Sequence, residues 1–110
     1  MSYNIETIPS FDKDVKKLKK RFPNIKNDLK ELIVKLQDEP TLGTYLAEGF
    51  YKIRLKNSSV PTGKSGGFRV ITYFVQNETL YLVSMYSKSD TDTILIDKLK
   101  EIISNSITMH

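Results

Sequence analysis

Residues Val60–Phe74 read VPTGKSGGFRVITYF, and the second half of that stretch decides the fold. Gly63-Lys64-Ser65 matches the heart of a P-loop. A P-loop also needs a glycine five positions earlier and a helix directly after, so that backbone N–H groups and the helix N-terminus converge on phosphate. Position 58 is Ser58, and Gly66-Gly67 leads into Phe68-Arg69-Val70-Ile71-Thr72-Tyr73-Phe74, whose β-branched and aromatic residues read as a strand. A P-loop nucleotide site is therefore set aside. The triplet reads instead as a pliable basic loop feeding a strand that carries Arg69.

Two further strand signals flank this one, Phe50–Lys56 before it and Thr79–Ser87 after it, with Gln76-Asn77-Glu78 as a tight hairpin turn. Upstream, Tyr3–Ile8 alternates polar and apolar residues as a short strand does, and Pro9-Ser10 stops it, with Ser10 placed to cap a helix. Phe11, Val15, Leu18 and Phe22 follow helical spacing, and beyond Pro23-Asn24 a second helical stripe runs through Ile25, Leu29, Leu32, Ile33 and Leu36. Lys13, Lys16, Lys17, Lys19 and Lys20 read as the wet face of the first helix. Asp38–Gly49 reads as a polar connection, and a last helix after Ser89-Asp90 has Leu95, Leu99, Ile102 and Ile103 as its apolar positions. The order is β-α-α-β-β-β-α, an α+β fold with helices packed on one face of a mostly antiparallel sheet.

A chain of 110 residues, read as one domain over 1–110, is long enough for one core. Its 17 Lys and Arg against 13 Asp and Glu give +4, and the excess is concentrated in the middle. Tyr51–Ser89 holds Lys52, Arg54, Lys56, Lys64, Arg69 and Lys88 against Glu78 alone, which suggests a polyanionic partner. The chain has no cysteine, so disulfides and thiolate chemistry are excluded and the cytoplasm is the expected compartment. The sole histidine, His110, is the last residue, so neither a triad nor a multi-histidine metal site is expected. Neither a membrane span nor a signal peptide is legible.

In Phe50–Lys56, Tyr51, Ile53 and Leu55 alternate with Lys52, Arg54 and Lys56, so one face is buried and the other carries three cations. Arg69 shares a face with Ile71 and Tyr73, and Tyr86 with Ser84 and Lys88. If the register brings these faces together, the sheet offers a shallow basic cleft with aromatic rings, rimmed by residues 62–67. Cations hold phosphates and aromatic faces stack on unpaired bases, a pairing suited to single-stranded nucleic acid.

The sequence from Tyr51 to Phe74, with Lys52-Ile53-Arg54, the Gly-Lys-Ser-Gly-Gly loop and Phe68-Arg69-Val70-Ile71, followed by Met85-Tyr86-Ser87-Lys88-Ser89, resembles the RelE/ParE toxin superfamily. The likeness is nearest to HigB-like and RelE-type toxins of bacterial type II toxin–antitoxin pairs. It implies a ribosome-dependent mRNA endonuclease acting in the ribosomal A site without a metal or other cofactor. It also implies a cognate antitoxin, expected to be of helix-turn-helix type, and operator DNA reached only through the toxin–antitoxin complex. The alternatives are a ParE-like toxin directed at DNA gyrase and a non-catalytic protein that binds nucleic acid or antitoxin. The chain departs from the family at its end, SNSITMH, which lacks an obvious counterpart of the C-terminal tyrosine or histidine that several members use.

Carried onto this sequence, the resemblance implies catalytic roles for Lys52, Arg54, Arg69, Tyr86 and Lys88, and RNA contacts for Lys56, Lys64, Ser65 and Tyr73. Arg54 and Arg69 suit the phosphate because a guanidinium fork grips two oxygens at once. Lys52 or Lys88 is the candidate acid or base, and Tyr86 the candidate for base stacking or proton donation.

Overall fold

The computed structural model describes residues 3–60, 67–76, 78–90 and 94–107. Its elements are β1 (Asn4–Thr7), α1 (Pro9–Lys19), α2 (Ile25–Asp38), β2 (Thr44–Ala47), β3 (Phe50–Leu55), β4 (Phe68–Val75), β5 (Thr79–Ser87) and α3 (Ile96–Ile107). The five strands form one sheet in the order β1-β5-β4-β3-β2, antiparallel except where β1 runs parallel to β5. The α+β reading holds, with one strand more than expected. Thr44–Ala47, read as part of a polar connection, pairs with β3 at the sheet edge.

The apolar spacing of α1 and α2 does what it predicts. Phe11, Leu18, Ile25, Leu29, Leu32 and Leu36 are buried with Ile53, Phe68, Val70, Leu80, Leu82 and Met85 from one face of the sheet. Each such side chain contributes about 1.5–3 kcal/mol on leaving water. The lysines of α1 remain exposed. The third helix takes the opposite face, where Leu99 and Ile103 pack on Ile8, Phe50, Ile71, Val83 and Tyr86. Helices therefore cover both faces rather than one, because the odd and even positions of the central strands are both apolar enough to need cover.

Two local expectations change. Ser10 lies inside the first turn of α1 instead of capping it, and its hydroxyl donates to the Val83 carbonyl at 2.6 Å. Leu95 precedes α3 and is 73% exposed, so the buried stripe of that helix starts at Leu99.

The central ladder contains an irregularity. Ile71 pairs with Ser84 while Thr72 pairs with Leu82, so β5 has one extra residue, Val83, opposite β4. An extra residue reverses the alternation beyond it. Leu80 and Leu82 face α1 and α2, but Tyr86 falls on the α3 face instead.

Candidate functional site

β3 supplies Lys52 and Arg54 at alternate positions, β4 supplies Arg69, and β5 supplies Tyr86. The register aligns them in one row: Arg54 pairs with Arg69, and Arg69 with Tyr86. One step along, Lys52 pairs with Ile71 and Ile71 with Ser84. Paired residues point to the same side of a sheet, so the basic face inferred from alternation exists.

Lys88 joins this row through the backbone. Its N–H donates to the Gly67 carbonyl at 3.0 Å, directly before β4 begins. Gly67 has φ +70°, and a Cβ there would stand 2.6 Å from the Leu55 carbonyl oxygen, so only glycine lets the chain pass this close to the end of β3. A strand, not a helix, follows this glycine, which removes the architecture a P-loop requires.

Lys52, Arg54, Arg69 and Lys88 together line a pocket of about 530 Å³, completed by Gly43 and Thr44. No acidic side chain is among these lining residues, so the pocket is a concentrated positive site suited to an anion. A second, more apolar pocket of about 250 Å³ shares Lys52 and is lined by Leu46, Ile71, Tyr86 and residues 94–96. Lys52 is the half-buried wall between the two.

Burial separates residues that look alike in sequence. Arg54 and Lys88 are exposed, whereas Arg69 is only 5% exposed and Tyr86 only 7%. The sheet face is therefore open at Arg54 and closed at Arg69 and Tyr86, not open throughout. One terminal nitrogen of the Arg69 guanidinium donates to the Phe68 carbonyl at 3.2 Å, which holds the head group itself.

The remaining candidates lie apart. Tyr73 stacks at 4.8 Å on Phe50, near the end of the sheet that α3 covers, and does not line the basic pocket. Lys56 is exposed just past β3 and is likewise outside the lining. Lys64, Ser65 and His110 fall outside the described residues.

Sequence reasoning missed the β2 side of the site. Gly43 has φ +100°, and a Cβ there would collide with the Lys52 carbonyl oxygen and stand 2.8 Å from Ile53 Cγ1. It turns the chain so that Thr44 can pair with Lys52. The legible signal was Thr-Tyr-Leu-Ala between Gly43 and Gly49, a four-residue run shorter than strand patterns usually need.

Asp14 of α1 was also missed. Its Oδ2 accepts from the Ser84 hydroxyl at 3.1 Å and the Met85 N–H at 3.0 Å. Burial raises its pKa above the ordinary 3.8, and the bonds from Met85 and Ser84 offset that only in part. Among the described residues, no group of three or more acidic or histidine side chains is placed to hold a metal, and no helix is long and apolar enough to cross a membrane.

No family model matches this chain. No curated protein matches it either. Among solved structures, it is similar to the Escherichia coli toxin RelE, in a form with two arginines replaced by alanine and in the free state. The identity is 16%, the TM-score is 0.56, and the match covers 98% of this chain and 97% of that one. Likeness over nearly the whole of both chains, with the same arrangement of helices about a mixed sheet, gives this protein the RelE-like fold.

Proposed function

We propose that this protein is the toxin of a type II toxin–antitoxin pair and a ribosome-dependent mRNA endonuclease. The observation that carries this reading is the gathering of Lys52, Arg54, Arg69 and Lys88 around one pocket with no acid among the described residues that line it, on a RelE-like fold. Fold alone does not specify activity, which the residues of the site must carry.

In the proposed reaction, the ribose 2′-oxygen attacks the adjacent phosphorus and the bond from phosphorus to the 5′-oxygen breaks. The 2′-hydroxyl proton passes to a basic group, and the departing 5′-oxygen takes a proton from an acidic one. The product ends are a 2′,3′-cyclic phosphate and a 5′-hydroxyl. Arg54, exposed, holds the phosphoryl oxygens as charge builds on them, and Arg69, opposite it on β4 and nearly buried in the pocket wall, adds its positive charge. Lys52 and Lys88, lining the same pocket, are the groups assigned to proton transfer. Tyr86 abuts the apolar pocket, where it can flank a base, and the chemistry requires no metal.

A cognate antitoxin, placed by this reading in the helix-turn-helix class, would cover the basic pocket with acidic groups and carry the complex to operator DNA. The reading places the protein in the cytoplasm, where ribosomes are.

The test is a cell-free translation reaction on a defined mRNA, with and without ribosomes, mapped by primer extension. Arg54→Ala is the variant of choice because Arg54 is exposed and its loss spares the core. Cuts that need both ribosomes and Arg54 are the expected result. Intact mRNA from folded wild-type protein overturns the reading and directs the search to gyrase supercoiling.

A further inference from the structure

The row Arg54–Arg69–Tyr86 depends on the extra residue in β5. Without Val83 as an extra residue, the alternation set by Leu80 and Leu82 would turn Tyr86 toward α1 and α2 and Met85 toward the basic face. Such a bulge interrupts a ladder and leaves backbone groups needing other partners. Here the partners come from α1.

β1 stops at Thr7, opposite Leu82, so from Val83 onward β5 has lost its neighbour on that side. The chain turns at Ile8, whose N–H still reaches the Leu82 carbonyl at 3.4 Å, and continues as α1. Side chains of α1 then replace the missing strand. Ser10 donates to the Val83 carbonyl at 2.6 Å, and Asp14 accepts from Ser84 Oγ at 3.1 Å and Met85 N at 3.0 Å. Three successive residues of the bulged segment are thus held by two side chains one helical turn apart.

We infer that Asp14 is a positioning residue for the basic site, which holds the β5 bulge in the register that sets Tyr86 beside Arg69. The inference rests on the reading of the basic pocket as the working site. Asp14 touches no residue of that pocket's lining through a hydrogen bond and acts only through β5.

The test compares wild type, Asp14→Ala and Asp14→Asn, the last keeping an oxygen acceptor for the Met85 N–H. Circular dichroism establishes that each is folded. Amide exchange at Met85 and Tyr86 reads the bulge, and titration with inorganic phosphate reads the pocket. Cleavage of mRNA on ribosomes, resolved into kcat and KM, reads the activity. Asp14→Ala is expected to speed Met85 exchange, weaken phosphate binding and cut kcat roughly tenfold to a hundredfold, with KM changed far less. Asp14→Asn is expected to recover most of each. A folded Asp14→Ala chain with wild-type exchange and wild-type phosphate affinity overturns the inference. Should Asp14→Ala not fold, Asp14→Glu, which keeps the charge but displaces it by one methylene, takes its place: faster Met85 exchange with weaker phosphate binding supports the inference, and wild-type values for both overturn it. If wild type leaves mRNA intact, the ribonuclease reading falls while exchange and phosphate affinity still judge Asp14.

Discussion

Arg69 and Tyr86 lie directly opposite one another on β4 and β5, one pair beyond Met85 and three positions beyond the bulge at Val83. Their pairing places a buried guanidinium beside a buried phenol ring at the junction of the basic and apolar pockets. An anion drawn to Arg54 and Lys88 at the open side therefore meets, one strand further in, a cation whose head group is already held by the Phe68 carbonyl.

Anion binding should stabilise the fold. A ligand that binds only the native state adds about 2.7 kcal/mol when present at a hundred times its Kd. Inorganic phosphate is expected to raise the melting temperature of wild type, and to raise that of Arg54→Ala much less. Equal shifts in a thermal melt of the two proteins would remove Arg54 from the site.

Gly43→Ala should damage both stability and the pocket. The left-handed backbone at φ +100° disfavours any Cβ, and this one would strike the carbonyl of Lys52. A loss of at least ~2 kcal/mol in urea unfolding is expected. Phosphate affinity should fall as well, since relief of the clash moves Lys52; a stable variant with unchanged affinity would contradict the role given to this glycine.

Asp14 gives stability a definite dependence on pH. Its folded pKa lies above the 3.8 of the unfolded chain, raised chiefly by burial. Its contribution is thus fully present below pH 3.8 and is lost as pH rises through the raised folded value. The stability of Asp14→Asn relative to wild type should consequently increase with pH across that window. Urea melts at a series of pH values check the sign, and a difference that falls with rising pH would refute it.

The last helix is anchored by Leu99 and not by Leu95. Leu99 is fully buried, so Leu99→Ala is expected to cost about 2–5 kcal/mol. Leu95 is 73% exposed, and Leu95→Ala should change stability by about 0.5 kcal/mol or less. Chemical denaturation of the two variants separates them, and comparable losses would contradict the placement of α3.

Much of this architecture was legible because long apolar periods are hard to mistake. The stripe of α2 and the alternation of Lys52 and Arg54 with Ile53 and Leu55 each specify an element and its inner face. β2 escaped because a strand of four residues carries too short a period. The burial of Arg69 escaped because it depends on neighbours such as Tyr86, set beside it on β5 by a register that β4 alone does not reveal. The mechanism that puts Tyr86 on the basic face escaped for a sharper reason. Nothing in Thr79–Ser87 marks Val83 as an extra residue, and the bonds that hold the bulge come from Ser10 and Asp14, far away in the chain.

That distance orders events during synthesis. β3, β4 and β5 join sequence neighbours, but β1 pairs in parallel with β5, Asn4 beside Thr79, and α1 grips Val83 to Met85. Contacts of such long sequence separation close late. The first helix therefore waits, unpartnered on its β5 side, until β5 itself has left the ribosome. A nascent chain halted before Met85 holds Lys52 and Arg54 but lacks the strand that sets Tyr86 against Arg69. Under the proposed function, the ribosome that makes this protein is shielded from it until β5 has been made.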